Sequence, residues 1–278
     1  MTPATILKLV LLLGVVLLVV AIGIRARMED LLLLRRPALA LRAMVAMYVA
    51  LPAFVLVLVW LLPLRAGVGA VLLGFAVAPV LPPWAKKGAA VGGKSDYVIG
   101  LELLSAGVSL LVVPLMIGIA YRVFGVTTTL EPLAVEKVLL ATVAVPLALG
   151  FGLARLWPGA APRLAARVDR AGTVILVLGV VVLLVVHGRA ILGVMGQGTL
   201  IVTVAVIAFG LLVGHLLGGP DPGNREALAS ATVSRHPAIA LVLASGAFPE
   251  LESTVIGMVL LFLFSSLLLP IAYERWRK

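Results

Sequence analysis

The chain has 278 residues, of which 63% are hydrophobic and only 12% charged, and its formal net charge is +10. These proportions exclude a soluble globular domain, because such a domain needs far more charged side chains to cover its surface. The absence of cysteine excludes disulfides and thiolate metal sites. The basic residues stand between apolar runs and not on one solvated face, which excludes a nucleic-acid-binding surface.

Apolar runs long enough to cross a bilayer as helices follow one another along the whole sequence. The first run ends at Arg25 without a small-residue cleavage site, so we interpret it as a retained span and not as a signal peptide. The sequence therefore predicts an all-α membrane protein, a single polytopic domain over residues 1–278 with about nine transmembrane helices. The predicted spans are 4–24, 37–63, 67–93, 95–120, 132–156, 171–192, 197–219, 224–248 and 251–273.

The loops between these spans differ in positive charge, with thirteen Lys and Arg residues on one side and four on the other. Cytoplasmic loops carry the excess of Lys and Arg, which predicts a cytoplasmic C-terminus and an external N-terminus in a bacterial inner membrane. The cations of the richer side are Arg25, Arg27, Arg35, Arg36, Lys94, Arg155, Arg163, Arg167, Arg170, Arg225, Arg275, Arg277 and Lys278.

Two predicted spans contain prolines near their middle, Pro82 and Pro83 in the third and Pro237 in the eighth. Proline lacks a backbone donor and clashes with the preceding turn. We therefore expect residues 80–88 and 234–238 to be non-helical or kinked and to cross near the membrane midplane. Charge at that depth costs about 2.5–3.5 kcal/mol per residue and usually marks function. The ionisable residues of the two breaks are Lys86 and Lys87 in the third span and Arg235 and His236 in the eighth.

The two broken spans lie five spans apart, so they cross the bilayer in opposite directions. This is typical of inverted repeats, whose broken helices build a substrate site at the midplane. Residues 1–125 would form the first repeat, without its leading helix, and residues 126–278 the second. Ordinary proline kinks are the alternative. The corresponding positions of the two breaks, and the basic residues at both, favour a site.

Four segments carry a resemblance to a known family. They are the glycine-containing end of the first span with its acidic turn (residues 20–30), Arg36-Pro37 with Pro52, the turn at Lys94, and the second broken helix (residues 226–244). In this order they resemble the bile acid/sodium symporter family. The resemblance covers most of the chain. It implies ten spans, or nine when the first is missing, and secondary transport.

The positions that hold sodium in the sodium-coupled members differ in this sequence. The Ser-Asn pair of the first broken helix falls on Lys86 and Lys87, and the Glu and Gln of the second fall on Ala231 and Arg235. A sodium site needs clustered oxygen ligands. We therefore expect no sodium coupling, with fixed cationic side chains in place of the ion. The remaining ligand positions of the family fall on Met47, Gly100 and Leu104.

Glu102 lies about two helical turns into the fourth span, about 10 Å inside the bilayer. It either carries a proton or serves as the counter-ion of Lys86, Lys87 or Arg235. We favour the counter-ion interpretation, because unpaired cations at that depth are costly. Ser234, beside Arg235, is expected to line the same site.

These features predict a secondary transporter that moves a small or amphipathic organic anion by alternating access without sodium. The basic residues and the N-termini of the half-helices would attract the anion. The alternatives are a cation/proton antiporter-like carrier, which would need a midplane aspartate, and a non-transporting receptor or scaffold. We expect no enzymatic activity, metal or cofactor; membrane lipid is a further expected partner and nucleic acid is not, and the oligomeric state stays open. The predicted site residues are Lys86, Lys87, Arg235, His236, Glu102 and Ser234, with helix breaks at Pro82, Pro83 and Pro237.

Overall fold

The computed structural model describes residues 3–26, 33, 36–81, 84–123, 137 and 140–277. The predicted break residues Pro82 and Pro83 lie outside the described residues. The same is true of the topology residues Arg27, Arg35 and Lys278.

The described parts of the chain are helical apart from turns and one isolated β-bridge, because a backbone inside a bilayer must satisfy its polar groups within each segment. Five of these helices are long and apolar enough to cross a membrane. The chain is an integral membrane protein, and the count of nine spans stays a prediction. The helices are α1 (Pro3–Arg25), α2 (Pro37–Leu61), α3 (Ala66–Val77), α4 (Trp84–Ala90), α5 (Ser95–Val123), α6 (Leu140–Leu156), α7 (Ala161–Val194), α8 (Thr199–Leu217), α9 (Pro222–Val233), α10 (Pro237–Ala247) and α11 (Glu252–Arg277).

Both predicted breaks are present, and they cross. Helix α3 ends at Val77 and α9 ends at Val233. The unwound segments after them pair as an antiparallel β-bridge between Val80 and Arg235. The Leu81 N–H donates to the Ser234 carbonyl at 2.9 Å, and the His236 N–H donates to the Pro79 carbonyl at 2.9 Å. The interrupted segments thus satisfy each other's backbone groups at the point where they meet.

The breaks are shorter than predicted. Residues 84–88, including Lys86 and Lys87, are helical in α4, and Pro237 is the first residue of α10 and not part of the break. A proline is compatible with the first turn of a helix, because the N–H that it lacks would have no partner there. The helix therefore resumes at the proline, and the break lies in the residues before it.

The helices pack in two groups. In the first group, α1 packs along α7 and α6, and glycines allow close approach. A Cβ atom on Gly150 would lie 2.2 Å from the Val20 carbonyl oxygen, and one on Gly23 would lie 2.3 Å from that of Leu147. The second group contains both broken helices together with α2, α5, α8 and α11. Helix α7 joins the two groups through its contact with α11.

The two broken helices are also tied together at the ends away from the crossing. Lys94 Nζ lies 2.7 Å from a carboxylate oxygen of Asp221, and the Lys94 N–H donates to Asn224 Oδ1. The hydrogen bonds from Lys94 and from the Asn224 N–H lower the pKa of the Asp221 carboxyl group. A Cβ atom on Gly223 would lie 1.9 Å from the Gly92 carbonyl oxygen, so this junction requires glycine.

Candidate functional site

Arg235 lies at the centre of the crossing and is only 1% exposed. Its guanidinium group donates to three backbone carbonyl oxygens, those of Thr232 at 2.8 Å, Ala78 at 2.8 Å and Met47 at 2.7 Å. It also lies over the Tyr48 ring, 5.3 Å from the ring centre. No carboxylate pairs with it among the described ion pairs.

The local structure explains why these carbonyl groups need a cation. Ala78 and Thr232 lie at the C-terminal ends of α3 and α9, where helical carbonyl groups have no intrahelical donor and the helix dipole is negative. Met47 lies in a π-helical turn of α2, where the Leu51 N–H bonds to the Ala46 carbonyl. In the same five-residue pattern, the donor to the Met47 carbonyl would be the N–H of Pro52, which a proline lacks. The Met47 carbonyl oxygen therefore has no donor in its own helix.

Tyr48 and Ser105 extend this polar centre to the first break. The Tyr48 hydroxyl group lies 2.8 Å from both the carbonyl oxygen and the Oγ of Ser105. Ser105 Oγ accepts a hydrogen bond from the Val80 N–H at 3.0 Å. The residues of this network are buried, so it holds α2, α5 and both breaks in one arrangement.

Glu102 and His236 line a small cavity beside the crossing, with a volume of about 20 Å³. Glu102 is 5% exposed and His236 is 2% exposed. Neither carboxylate oxygen of Glu102 nor Nε2 of His236 has a hydrogen-bond partner among the described residues. The other ring nitrogen, Nδ1, accepts from the Ala238 N–H at 3.2 Å and caps helix α10. Apolar residues of α1 and α6 close the cavity opposite these polar groups: Val19, Ile22, Val143 and Leu147.

A larger apolar cavity of about 410 Å³ adjoins the small one. It lies between α1 and α6 of the first helix group and α5 of the second. Its size is in the range of small-molecule sites. The two cavities share four lining residues, Leu103, Ala106, Val143 and Leu147, so a molecule in the larger cavity would lie next to Glu102 and His236.

The predicted lysines do not join Arg235. Lys86 is half exposed on α4, with its Nζ 2.5 Å from Asp169 of α7, and Lys87 pairs with Glu274 at 3.4 Å. The counter-ion interpretation of Glu102 is wrong, because its oxygens have no partner among the described residues, and Lys86, Lys87 and Arg235 all have others.

Ser234 contributes backbone groups to the crossing. Its carbonyl oxygen accepts from the Leu81 N–H, and its own N–H donates to the Ser230 carbonyl. No described hydrogen bond involves its side chain.

Sequence reasoning missed two residues of this region, Tyr48 and Asp169. Tyr48 is the one tyrosine in a mostly apolar span, which was a usable signal. Asp169 is the one acidic residue in an arginine-rich segment, and it pairs with both Lys86 and Arg25. Together with Arg170 these residues line an open pocket of about 330 Å³ at the end of α1.

The described part of the chain has no group of three His, Asp or Glu residues that could hold a metal ion.

The model of the Sodium Bile acid symporter family matches residues 10–194, more than half of the chain. This range contains the first break and Glu102, while the second break lies beyond it. No curated protein matches the sequence.

Proposed function

The chain belongs to the Sodium Bile acid symporter family, and we propose that it transports a small or amphipathic organic anion by alternating access without sodium. One observation carries the sodium independence. The Arg235 guanidinium group donates to three carbonyl oxygens at the ends of broken and π-helical segments. Such unwound carbonyl groups and half-helix C-termini are the groups that coordinate Na⁺ in transporters with broken helices. A fixed guanidinium group supplies the positive charge there.

The helix packing supports alternating access. The apolar cavity of about 410 Å³ lies between the two helix groups and reaches the crossing of the breaks. Movement of α1 and α6 relative to α5 would open it to one side or the other. We propose nine spans arranged as two inverted repeats, residues 1–125 and 126–278, with the crossing near the midplane. The N-terminus is external and the C-terminus cytoplasmic in this proposal.

The charge distribution at the end of α1 supports an anionic substrate. Arg25, Lys86 and Arg170 line the pocket at the end of α1 with a single carboxylate, that of Asp169. The adjoining pocket of about 620 Å³ is lined by three arginines and no acidic residue. We therefore assign the initial attraction of the anion to these two pockets. Arg235 is already hydrogen-bonded to backbone carbonyl groups, and Lys87 is already paired with Glu274.

The experiment is uptake of labelled taurocholate, a bile acid, into proteoliposomes of purified protein, with sodium or potassium at equal ionic strength. We expect equal uptake in both salts, and equal melting temperatures of the detergent-solubilised protein. A bound ion would raise the melting temperature by mass action. Sodium-dependent uptake or stabilisation would contradict the proposal. Taurocholate is the probe because the family name supplies the substrate class.

A cation/proton antiporter is the second candidate, and one observation favours it. Glu102, like the carboxylates of such carriers, is buried at the crossing. The same proteoliposomes separate the two candidates. An antiporter would release internal protons when sodium or potassium is added outside and would not take up taurocholate. A non-transporting scaffold would do neither.

A further inference from the structure

The small cavity at the crossing brings together two buried polar groups that no described residue satisfies. Glu102 of α5 and His236 of the second break both line it, and the Glu102 carboxyl oxygens and His236 Nε2 are the unpartnered atoms. Buried polar groups in folded proteins are nearly always hydrogen-bonded, so two such groups in one cavity point to a water molecule or a ligand between them. The cavity volume of about 20 Å³ is enough for a water molecule to bridge them.

The backbone contact of His236 decides which of the two groups can titrate. Nδ1 accepts a hydrogen bond from the Ala238 N–H, so its lone pair is in use and the neutral ring carries its proton on Nε2. A second proton on the ring would have to go to Nδ1 and would break the cap of α10. His236 is therefore a fixed Nε2–H donor facing the cavity, and Glu102 is the group that gains and loses a proton.

No charged side chain among the described residues forms a hydrogen bond or an ion pair with Glu102. Arg25 of α1 and Asp169 of α7 pair with each other at 3.3 Å, and Lys86 of α4 shares the same carboxylate. Arg235, from the second break, donates to carbonyl groups and lies over Tyr48 of α2. An ionised carboxylate without a partner in apolar surroundings is costly, so in this closed arrangement Glu102 is the neutral acid.

We propose that Glu102 carries the proton that drives transport, and that His236 is the positioning residue whose Nε2–H stabilises the carboxylate once water enters the cavity. This inference rests on the proposed transport function and names its driving ion. A proton from water on one side forms an O–H bond with the Glu102 carboxylate, and that bond breaks when the proton leaves to water on the other side. No electrons move, and no other covalent bond changes.

The shared wall of the two cavities couples this proton to the substrate. An organic anion in the apolar cavity lies next to Glu102 and is repelled by its carboxylate form, so anion and proton bind together. While the helix groups are closed, four apolar residues of α1 and α6 close the small cavity around Glu102: Val19, Ile22, Val143 and Leu147. Opening of α1 and α6 admits water, the carboxylate forms, and the proton and anion are released on the same side. This cycle is proton–anion symport.

The first test needs no substrate. Dicyclohexylcarbodiimide converts protonated carboxyl groups in apolar surroundings into stable N-acylureas, which peptide mass spectrometry locates. We expect Glu102 to be modified at low pH, with the yield falling as the pH rises. The internal control is Asp169, which is buried but ion-paired and should be modified at least about tenfold less at every pH. Modification of Glu102 no greater than that of Asp169 would overturn the proposal.

Two variants assign the roles. Glu102→Gln keeps the shape and removes the acid, so modification at this position should disappear. His236→Asn keeps a side chain that can cap α10 but removes the Nε2–H donor. In this variant the Glu102 carboxylate is less stabilised, so modification of Glu102 should persist to higher pH than in the native protein. An unchanged pH profile in His236→Asn would overturn the role of His236.

The second test separates this inference from the proposed function. Taurocholate stays ionised across the working pH range, so it carries no proton itself. We expect an inward proton gradient to increase its uptake into proteoliposomes, and Glu102→Gln to abolish the gradient effect. Equal uptake with and without the proton gradient, in the native protein and in Glu102→Gln, would overturn the proton inference. It would leave the transport proposal intact. A Glu102 that reacts with the carbodiimide in a protein that takes up no taurocholate would contradict the proposed anion.

Discussion

At the scale of single residues, Arg235 occupies the position where the proposed function puts a fixed cation in place of sodium. The three carbonyl oxygens that it contacts belong to three different segments, α2, the end of α3 and the end of α9. A mobile cation would bind these oxygens only while present, whereas the guanidinium group binds them permanently. The planar group also matches three separate acceptors better than an ammonium group can. Arg235 therefore holds the crossing together through contacts with three segments.

We predict that Arg235→Met lowers the free energy of unfolding by about 3–5 kcal/mol, because it removes a buried cation and leaves carbonyl groups without donors. Arg235→Lys should be intermediate, since one ammonium group cannot reach all three oxygens. Thermal unfolding of the purified protein in detergent measures both. The control is Arg65→Ala at an exposed hydrogen bond to Gln197, which should cost less than about 1 kcal/mol. Equal melting of Arg235→Met and the native protein would contradict this role.

At the scale of the helices, close packing at glycine residues fixes the place of α1 beside the small cavity. Val19 and Ile22 of α1 close the cavity at Glu102, so the position of this helix decides whether water reaches the carboxyl group. The contact of Gly23 with Gly150 sets the distance between α1 and α6. Small residues allow backbones to approach in membranes, where helix association depends on packing and not on the hydrophobic effect. These contacts thus hold α1 against α6.

We predict that Gly150→Ala costs about 1–3 kcal/mol, because the new Cβ would lie 2.2 Å from the Val20 carbonyl oxygen and force α1 away. Gly152 on the same helix is the matched control, since nothing lies within 4 Å of its added Cβ. Gly152→Ala should be neutral or stabilise the helix by up to about 1 kcal/mol. Thermal unfolding and size-exclusion chromatography compare the two. Equal destabilisation by both would show that helix packing is not the cause.

At the scale of the whole molecule, charged residues gather at one end of the helix bundle. Arg25, Lys86 and Asp169 join α1, α4 and α7 there, and Lys87 contacts Glu274 near the C-terminal end of α11. The arginines of α7 line an open pocket in the same part of α7. These contacts agree with the side that the distribution of Lys and Arg assigns to the cytoplasm.

We predict that a cysteine placed singly at Arg163 is protected from a membrane-impermeant thiol reagent in intact cells, while one at Glu250 reacts. Both residues are exposed in the structure, so protection would come from the membrane and not from the fold. The native chain has no cysteine and gives a clean background. Permeabilised cells are the control and should expose both positions. Labelling at Arg163 alone in intact cells would invert the proposed topology.

The sequence alone was sufficient for the integral membrane character, the family and the two interruptions, because these depend on local properties. Runs of apolar residues must form helices in lipid, and prolines close to basic residues in the middle of a span indicated where a helix is interrupted. The resemblance named the family, and the match of the family model over residues 10–194 confirms it. The position of each break along its helix was predicted less well, since a proline fits the first turn of the helix that follows.

Only the tertiary structure decided which polar groups meet. Lys86 and Arg235 both looked like partners for Glu102, yet Lys86 contacts Asp169 and Arg235 contacts carbonyl oxygens of three segments. Side chains distant in sequence meet according to the packing of the helices, and local patterns do not specify that packing. Sequence spacing places Glu102 at a depth in the membrane. Whether its carboxyl group finds a partner there depends on which helices surround it, and the structure surrounds it with apolar side chains and one histidine.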